Sequence, residues 1–332
     1  MSNYYLPTPT HSFSIPSIYD GTQLSCRIYV PRQLQDPTNS SPWRVRGAIV
    51  AHPYASLGGN YDDPVVSFVG GELLDQEFVV ATFNFRGAGD SQGRTSWTAK
   101  PELADYVSVY GVVMLYLRLL RLELGSGSRG EEPIQLVLGG YSYGSLVASH
   151  LPGSEVVAEL FKDGIRIRGT PIHEISLTAR KIFDLLKEEI KSQARPTKSP
   201  SQSMPSDANE LQRSCGMTTS YLLISPLLPP INLFLTLFLD MSLEVDTQGS
   251  GHRRKIPCPK STEKLCAHQT IAIYGDEDTF TSVSKLRKWS GELSGVSAGL
   301  FQATEIEGAG HFWREDGVEE EARRALRLWL RQ

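Results

Sequence analysis

Several large functional classes are excluded by what this sequence lacks. Cysteine is scarce, with four residues in 332, and the four sit at positions 26, 215, 258 and 266 with no CxxC pair and no zinc-ligand spacing. A disulfide framework is therefore not expected, and reduced structural thiols in a cytoplasmic protein are. Neither sign of charge dominates. The 33 basic and 37 acidic residues leave a formal net charge of −4, too little to gather a polyanion, so no nucleic-acid partner is expected. The short basic runs at 118–121 and 252–255 read as solvated surface. The first residues carry no basic start followed by an apolar run, so no signal peptide is expected. Residues 221–239 come nearest to a membrane span, but Pro226, Pro229 and Pro230 interrupt them before about 18 clean apolar residues accumulate. A buried strand followed by an apolar flap fits better. Peripheral membrane contact through 227–239 stays open, beside a pocket lid or core.

What is present is a large apolar fraction, 40% of the chain, with 21% charged residues. That supports one substantial core and a single domain with insertions. Apolar runs at 26–30, 47–51, 77–85, 134–138, 221–224, 268–274 and 301–306 read as strands, the first of them an early edge strand. Helical patterns lie between most of them, at 65–74, 102–124, from 146, 173–191, from 283 and 318–330. Most of the strands are apolar throughout rather than alternating. That is the signature of a mostly parallel sheet covered by helices on both faces, an α/β fold. The core is expected over about 20–164 and 263–332, with an inserted cap or flap over about 165–262. Within the insertion, 192–209 is polar and rich in Ser and Pro, and is expected to be a disordered loop. Residues 125–130 are expected to end the helix that begins near 102.

The sharpest motif is Gly140-Tyr141-Ser142-Tyr143-Gly144, between an apolar strand and a helical run. A serine nucleophile needs this strand–turn–helix elbow, because its hydroxyl must project above the sheet from a tight turn. Side chains at 140 and 144 would crowd that turn. An ordinary glycine-rich turn is the bland alternative for the pentapeptide alone, and the flanks favour the nucleophile. Acid and base then follow the serine in chain order. Asp276, Glu277 and Asp278 end one strand. Asp278, deepest in the loop, is the expected partner of the base, Asp276 a turn-shaping residue and Glu277 solvated. Of seven histidines, His311 in the loop before the closing helix has the right order and context. His150 reads as packing or capping, and His11, His252 and His268 as surface or strand-edge residues. An oxyanion would be received by the Tyr143 amide and by an amide after strand 47–51, where Pro53 has no N–H and Tyr54 or Ala55 is the candidate. His52, Gly58 and Gly59 support that loop. Tyr141 and Tyr143 are expected to line an aromatic entrance. The loop at 86–92 carries glycines without completing a dinucleotide-binding GxGxxG, and no GKS/GKT or HExxH pattern occurs, so no cofactor and no metal are expected.

His52-Pro53 with Gly58-Gly59, Asn84-Phe85-Arg86-Gly87-Ala88-Gly89-Asp90-Ser91, the GYSYG elbow, Gly275-Asp276-Glu277-Asp278 and Gly310-His311-Phe312 together resemble the α/β-hydrolase superfamily. More narrowly, they are similar to small bacterial and fungal hydrolases that pair an HPHPxxGG-like loop with an NFRGxGxS-like loop. One departure is the replacement of the second His-Pro by Tyr54-Ala55. The resemblance covers about 20–155 and 265–330. It implies a triad of Ser142, Asp278 and His311. It also implies an oxyanion hole from the Tyr143 amide and the Tyr54 or Ala55 amide. The expected activity is hydrolysis of a carboxylic ester or thioester of a small or hydrophobic substrate. Amidase or peptidase action, a non-hydrolytic acyltransferase or cyclase, and a catalytically silent binding protein are the alternatives.

Overall fold

Apolar runs too uniform to offer water a polar face form the middle of a sheet. The computed structural model describes residues 5–35, 43–124, 132–165, 167–193, 216–236, 241–246 and 253–332. The strands are β1 His11–Pro16, β2 Gln23–Tyr29, β3 Arg46–Ala51, β4 Val79–Phe83, β5 Ile134–Tyr141, β6 Met217–Ile224, β7 Ser242–Asp246, β8 Arg253–Pro257, β9 Thr270–Glu277 and β10 Phe301–Gly310. The helices are α1 Arg32–Gln35, α2 Pro64–Asp75, α3 Lys100–Leu124, α4 Tyr143–Ala148, α5 Ser154–Gly164, α6 Pro171–Gln193, α7 Ile231–Leu235, α8 Ser261–Ala267, α9 Val283–Val296 and α10 Val318–Leu330.

Eight strands form one sheet in the order β1-β2-β4-β3-β5-β6-β9-β10. The β1 and β2 pairings are antiparallel, and every pairing from β4 to β10 is parallel. Two apolar clusters cover the two faces. One gathers side chains of α3, α5 and α6, the other side chains of α2 and α10. The chain runs from β3 outward to β4, then crosses back to β5 on the other side of β3. That reversal leaves a crevice beyond the C-terminal ends of β3 and β5, where α/β sheets bind ligands.

The elements differ from the sequence reading in places, for physical reasons. The strand at 26–30 is not at the edge. β1, half-buried and polar at alternate positions, lies outside it. The segment 165–262 is not an accessory unit, because β6 lies within it and pairs with β5 on one side and β9 on the other. Its continuous apolar run, LLI after Tyr221, belongs to the centre of the sheet. A separate antiparallel pair, β7 and β8, is also present there, and the three consecutive charges that open β8 give no strand pattern. The expected helix end at 125–130 and most of the Ser/Pro-rich loop at 192–209 lie outside the described residues, while 192 and 193 end α6. Helix α3 is long and apolar enough over 100–123 to cross a membrane, but 94% of its apolar window is buried inside the fold. It is a core helix.

The loop after β4 is held by a buried cation. Arg86 donates from Nε to Asp105 Oδ2 at 2.9 Å and from Nη2 to Asp105 Oδ1 at 2.7 Å. It also reaches Asp20 Oδ2 at 2.9 Å and Ser17 Oγ at 3.1 Å. Burial opposes the charge, but the paired carboxylates raise the guanidinium pKa above its ordinary value. One side chain thus joins the β4 loop, α3 and the β1–β2 turn. Arg86→Met is expected to lower stability by about 3–5 kcal/mol, because Asp105 is left charged and buried. Urea denaturation reads the loss. Adding Asp105→Leu should recover part of it, and no recovery would count against a coupled pair.

Candidate active site

The turn after β5 forces Ser142 to φ 53° and ψ −114°. Such a backbone is held only by what surrounds it. The Ser142 N–H donates to the Ile224 carbonyl at 2.8 Å, and the Ser142 carbonyl accepts from the Ser145 hydroxyl at 2.6 Å. The glycines are required by close approach. A Cβ on Gly140 would come within 2.3 Å of the Gly144 backbone, and one on Gly144 within 2.4 Å of the Ala51 carbonyl. The elbow therefore packs directly against the end of β3.

Three side chains meet above it. Ser142 Oγ lies 2.9 Å from His311 Nε2, and His311 Nδ1 lies 2.7 Å from Asp278 Oδ2. An ionised carboxylate only accepts, so Nδ1 carries the proton and Nε2 is free to accept from the serine hydroxyl. The other Asp278 oxygen accepts from the Phe280 and Thr281 amides at 2.8 and 2.9 Å. That clamp fixes the carboxylate before it orients the imidazole. All three residues are buried, with Ser142 7% exposed. Asp276 has a different task. Its Oδ1 accepts from the Gly308 amide at 2.7 Å and shapes the approach to His311, while Glu277 is exposed.

The loop after β3 comes close to the elbow. Tyr54 and Tyr143 meet edge to face with ring centroids 5.1 Å apart. Tyr143 is the first residue of α4, and Tyr54 and Ala55 open the short 3-10 turn Ala55–Leu57. At those positions the N–H has no partner within its own helix and is available to a ligand oxygen. Gly58 ends the turn in the left-handed region at φ 90°, and a Cβ on Gly59 would meet the Pro53 carbonyl at 2.4 Å. His52 ties this loop to the next one. Its Nδ1 lies 2.6 Å from the Pro53 carbonyl and its Nε2 accepts from the Phe85 amide at 2.9 Å. The acceptor role of Nε2 needs a neutral ring with its proton on Nδ1. Burial supplies it, pushing the imidazole pKa down to about 4.

The aromatic rings beside the base are not the ones expected. Tyr141 and Tyr143 are 2% and 1% exposed and belong to the core on opposite faces of the sheet. Phe280 and Phe312 flank the histidine instead, Phe280 with its ring 4.4 Å from the imidazole and Phe312 half-exposed beneath the Arg314 guanidinium. Their place in the sequence, one just after the base and one on the acid's own loop, is the signal that marks them. Of the flap at 227–239, Leu227 is buried while Leu233 and Phe234 on α7 are exposed, and 237–239 lie outside the described residues. His150 lies past the end of α4, with Nδ1 2.8 Å from the Leu146 carbonyl, and His11 is buried on the edge strand. His252 and Cys215 lie outside the described residues. Among the described residues, no group of three or more His, Cys, Asp or Glu is arranged to hold a metal.

No family model matches the chain, and no curated protein sequence matches it. Solved structures do. An α/β serine hydrolase homologue from Coxiella burnetii is similar at 16% identity and TM-score 0.50, with 97% of each chain covered. A lidless α/β serine hydrolase from Xanthomonas campestris is similar at 17% identity and TM-score 0.50, covering 98% of this chain and 96% of that one. A putative α/β hydrolase from Agrobacterium tumefaciens is similar at 16% identity and TM-score 0.50, with 97% of each chain covered. The chain has the α/β-hydrolase fold. In the α/β-hydrolase fold the nucleophile, acid and base follow in chain order at the strand ends, and the hydrogen-bonded Ser142, Asp278 and His311 have that order here.

His52 gives this site an acid limit. An imidazole whose pKa falls from 6.5 to about 4 on folding contributes stability above pH 6.5 that is lost as the pH drops toward 4. Wild type should lose about 2 kcal/mol through this group between pH 7 and pH 5. His52→Asn is expected to remove that increment from the pH dependence of urea unfolding. A variant whose pH dependence matches wild type would assign the acid sensitivity elsewhere.

Proposed function

We propose that the chain is a serine hydrolase that cleaves a carboxylic ester or thioester through an acyl-enzyme on Ser142. The observation that carries this reading is the buried hydrogen-bonded chain from Ser142 Oγ through both nitrogens of His311 to Asp278. His311 Nε2 takes the serine proton as Oγ attacks the substrate carbonyl carbon, and Asp278 stabilises the imidazolium. The carbonyl oxygen becomes an oxyanion. It is received by the Tyr143 amide and by the Tyr54 or Ala55 amide. As the tetrahedral intermediate collapses, the leaving alcohol or thiol takes the proton from Nε2. Water then gives a proton to Nε2 as it attacks the acyl carbon, and when the second tetrahedral intermediate collapses the C–Oγ bond breaks and Nε2 returns that proton to Oγ.

Exposed Leu57, Leu233, Phe234 and Phe312 follow the C-terminal ends of β3, β6 and β10, the end where the serine stands. An apolar group on the substrate fits such a rim. Fluorophosphonate labelling read by intact mass tests the proposal. Wild type should take up one label, and Ser142→Ala none. Ester turnover should fall on the order of 10⁴-fold or more in the same variant. A folded wild type that stays unlabelled would falsify an activated serine. Matched esters, thioesters and amides then separate ester from amide hydrolysis.

A further inference from the structure

His311 stands where the sheet no longer holds the chain. β10 ends at Gly310, and its register with β9 shifts between Ile306 and Gly310. The ladder therefore does not fix the main chain of the base. Three contacts brace the neighbouring residues. Asp276 accepts from Gly308 N, Glu315 accepts from Gly310 N at 3.1 Å, and Trp313 Nε1 donates to Ser225 Oγ at 3.0 Å. None of these touches His311 itself.

The hydrogen bond to its main chain comes from the residue before the nucleophile. Tyr141 OH donates to the His311 carbonyl at 2.9 Å, and the bond is buried. The tyrosine ring lies 5.6 Å from the imidazole, tilted by 36°. Tyr141 is the last residue of β5, so its position is set by the central ladder, one residue from Ser142. Burial raises the phenol's pKa well above its ordinary value, and the nearby Asp63 and Asp278 carboxylates raise it further, against the opposing effect of Arg314. The hydroxyl is therefore a standing donor.

Serine and histidine are thus bridged twice. One bridge is the reacting hydrogen bond from Ser142 Oγ to Nε2. The other runs through the Tyr141 hydroxyl to the histidine's own carbonyl. The two differ over a reaction cycle. Once Oγ carries an acyl group it has no proton to donate, and the first bridge is gone. Asp278 still holds the imidazole edge, but among the described residues only Tyr141 hydrogen-bonds the histidine from the serine side. We propose that Tyr141 is a positioning residue that keeps His311 in place during the acyl-enzyme stage, so that the histidine meets the incoming water. This rests on the serine-hydrolase reading of the same site. It places the tyrosine's effect on deacylation, not on acylation, where the serine–histidine bond is itself intact.

The test follows acetylation of Ser142 by intact mass after mixing with p-nitrophenyl acetate. The rise reports acylation and the decay reports deacylation. Only acylated molecules are followed, so an unfolded fraction does not enter the decay rate. Tyr141→Phe should decay on the order of tenfold more slowly than wild type, with acylation changed less than about twofold. Trp313→Phe removes a bond from the same loop without touching His311, and should decay at the wild-type rate.

Equal decay in Tyr141→Phe and wild type overturns the proposal. Equal slowing in Trp313→Phe also overturns it, since loop loosening alone would then suffice. A Tyr141→Phe protein that never acylates overturns it in favour of a purely structural tyrosine. A wild type that forms no acyl-enzyme removes the serine-hydrolase reading and this inference with it.

Discussion

Ser142 occupies φ 53° and ψ −114°, a conformation that costs an L-residue on the order of 1–3 kcal/mol and persists only under constraint. The constraint here is contact between backbones. Gly140 faces Gly144, Gly144 faces the carbonyl of Ala51, and the serine's own N–H is spent on Ile224. The nucleophile's turn is therefore wedged against the ends of β3 and β6, the two strands that flank β5. Any side chain at either glycine would push those three strand ends apart. The sheet's central register and the serine's strained backbone are two aspects of one packing arrangement.

From that wedge, order spreads through buried polar side chains rather than through the ladder. Strand-end loops have no regular partners, so each must find its own. His52 joins the loop after β3 to the loop after β4. Arg86 carries the second of these down to α3 and the β1–β2 turn. Asp278 clamps its own loop before it meets His311, and Tyr141 reaches the loop after β10. Removing one partner of such a bond leaves a buried group that nothing else satisfies, which makes these contacts expensive to lose. They place rigid geometry on segments that would otherwise be the most mobile part of the fold.

The sequence revealed chemistry more readily than packing. Ser142, Asp278 and His311 are legible because their residue types, order and strand-end context are local properties of the chain. The closing helix is legible over its whole length, since Val318, Ala322, Leu326 and Trp329 repeat at helical spacing and are buried. The direction of a side chain is not local. Tyr141 and Tyr143 look alike on paper, and only the sheet decides that they enter opposite cores. β1 is not legible in the sequence because an edge strand needs little apolar character. The segment 165–262 reads as an accessory because its length and its polar stretch outweigh the short run that forms β6. Arg86 stood in a recognised motif, yet its carboxylate partners at 20 and 105 lie far along the chain.

The position of β6 has a practical side. Met217 pairs with Ile134, so β6 begins level with the start of β5, while Ser142 follows its end. Eight residues of strand separate the two levels, about 26 Å at the usual rise. Whatever the chain does before β6, it rejoins the sheet a full strand length from the nucleophile. That distance makes the start of β6 a natural point for grafting: a reporter domain or surface tether joined there would meet the sheet at the end away from the serine.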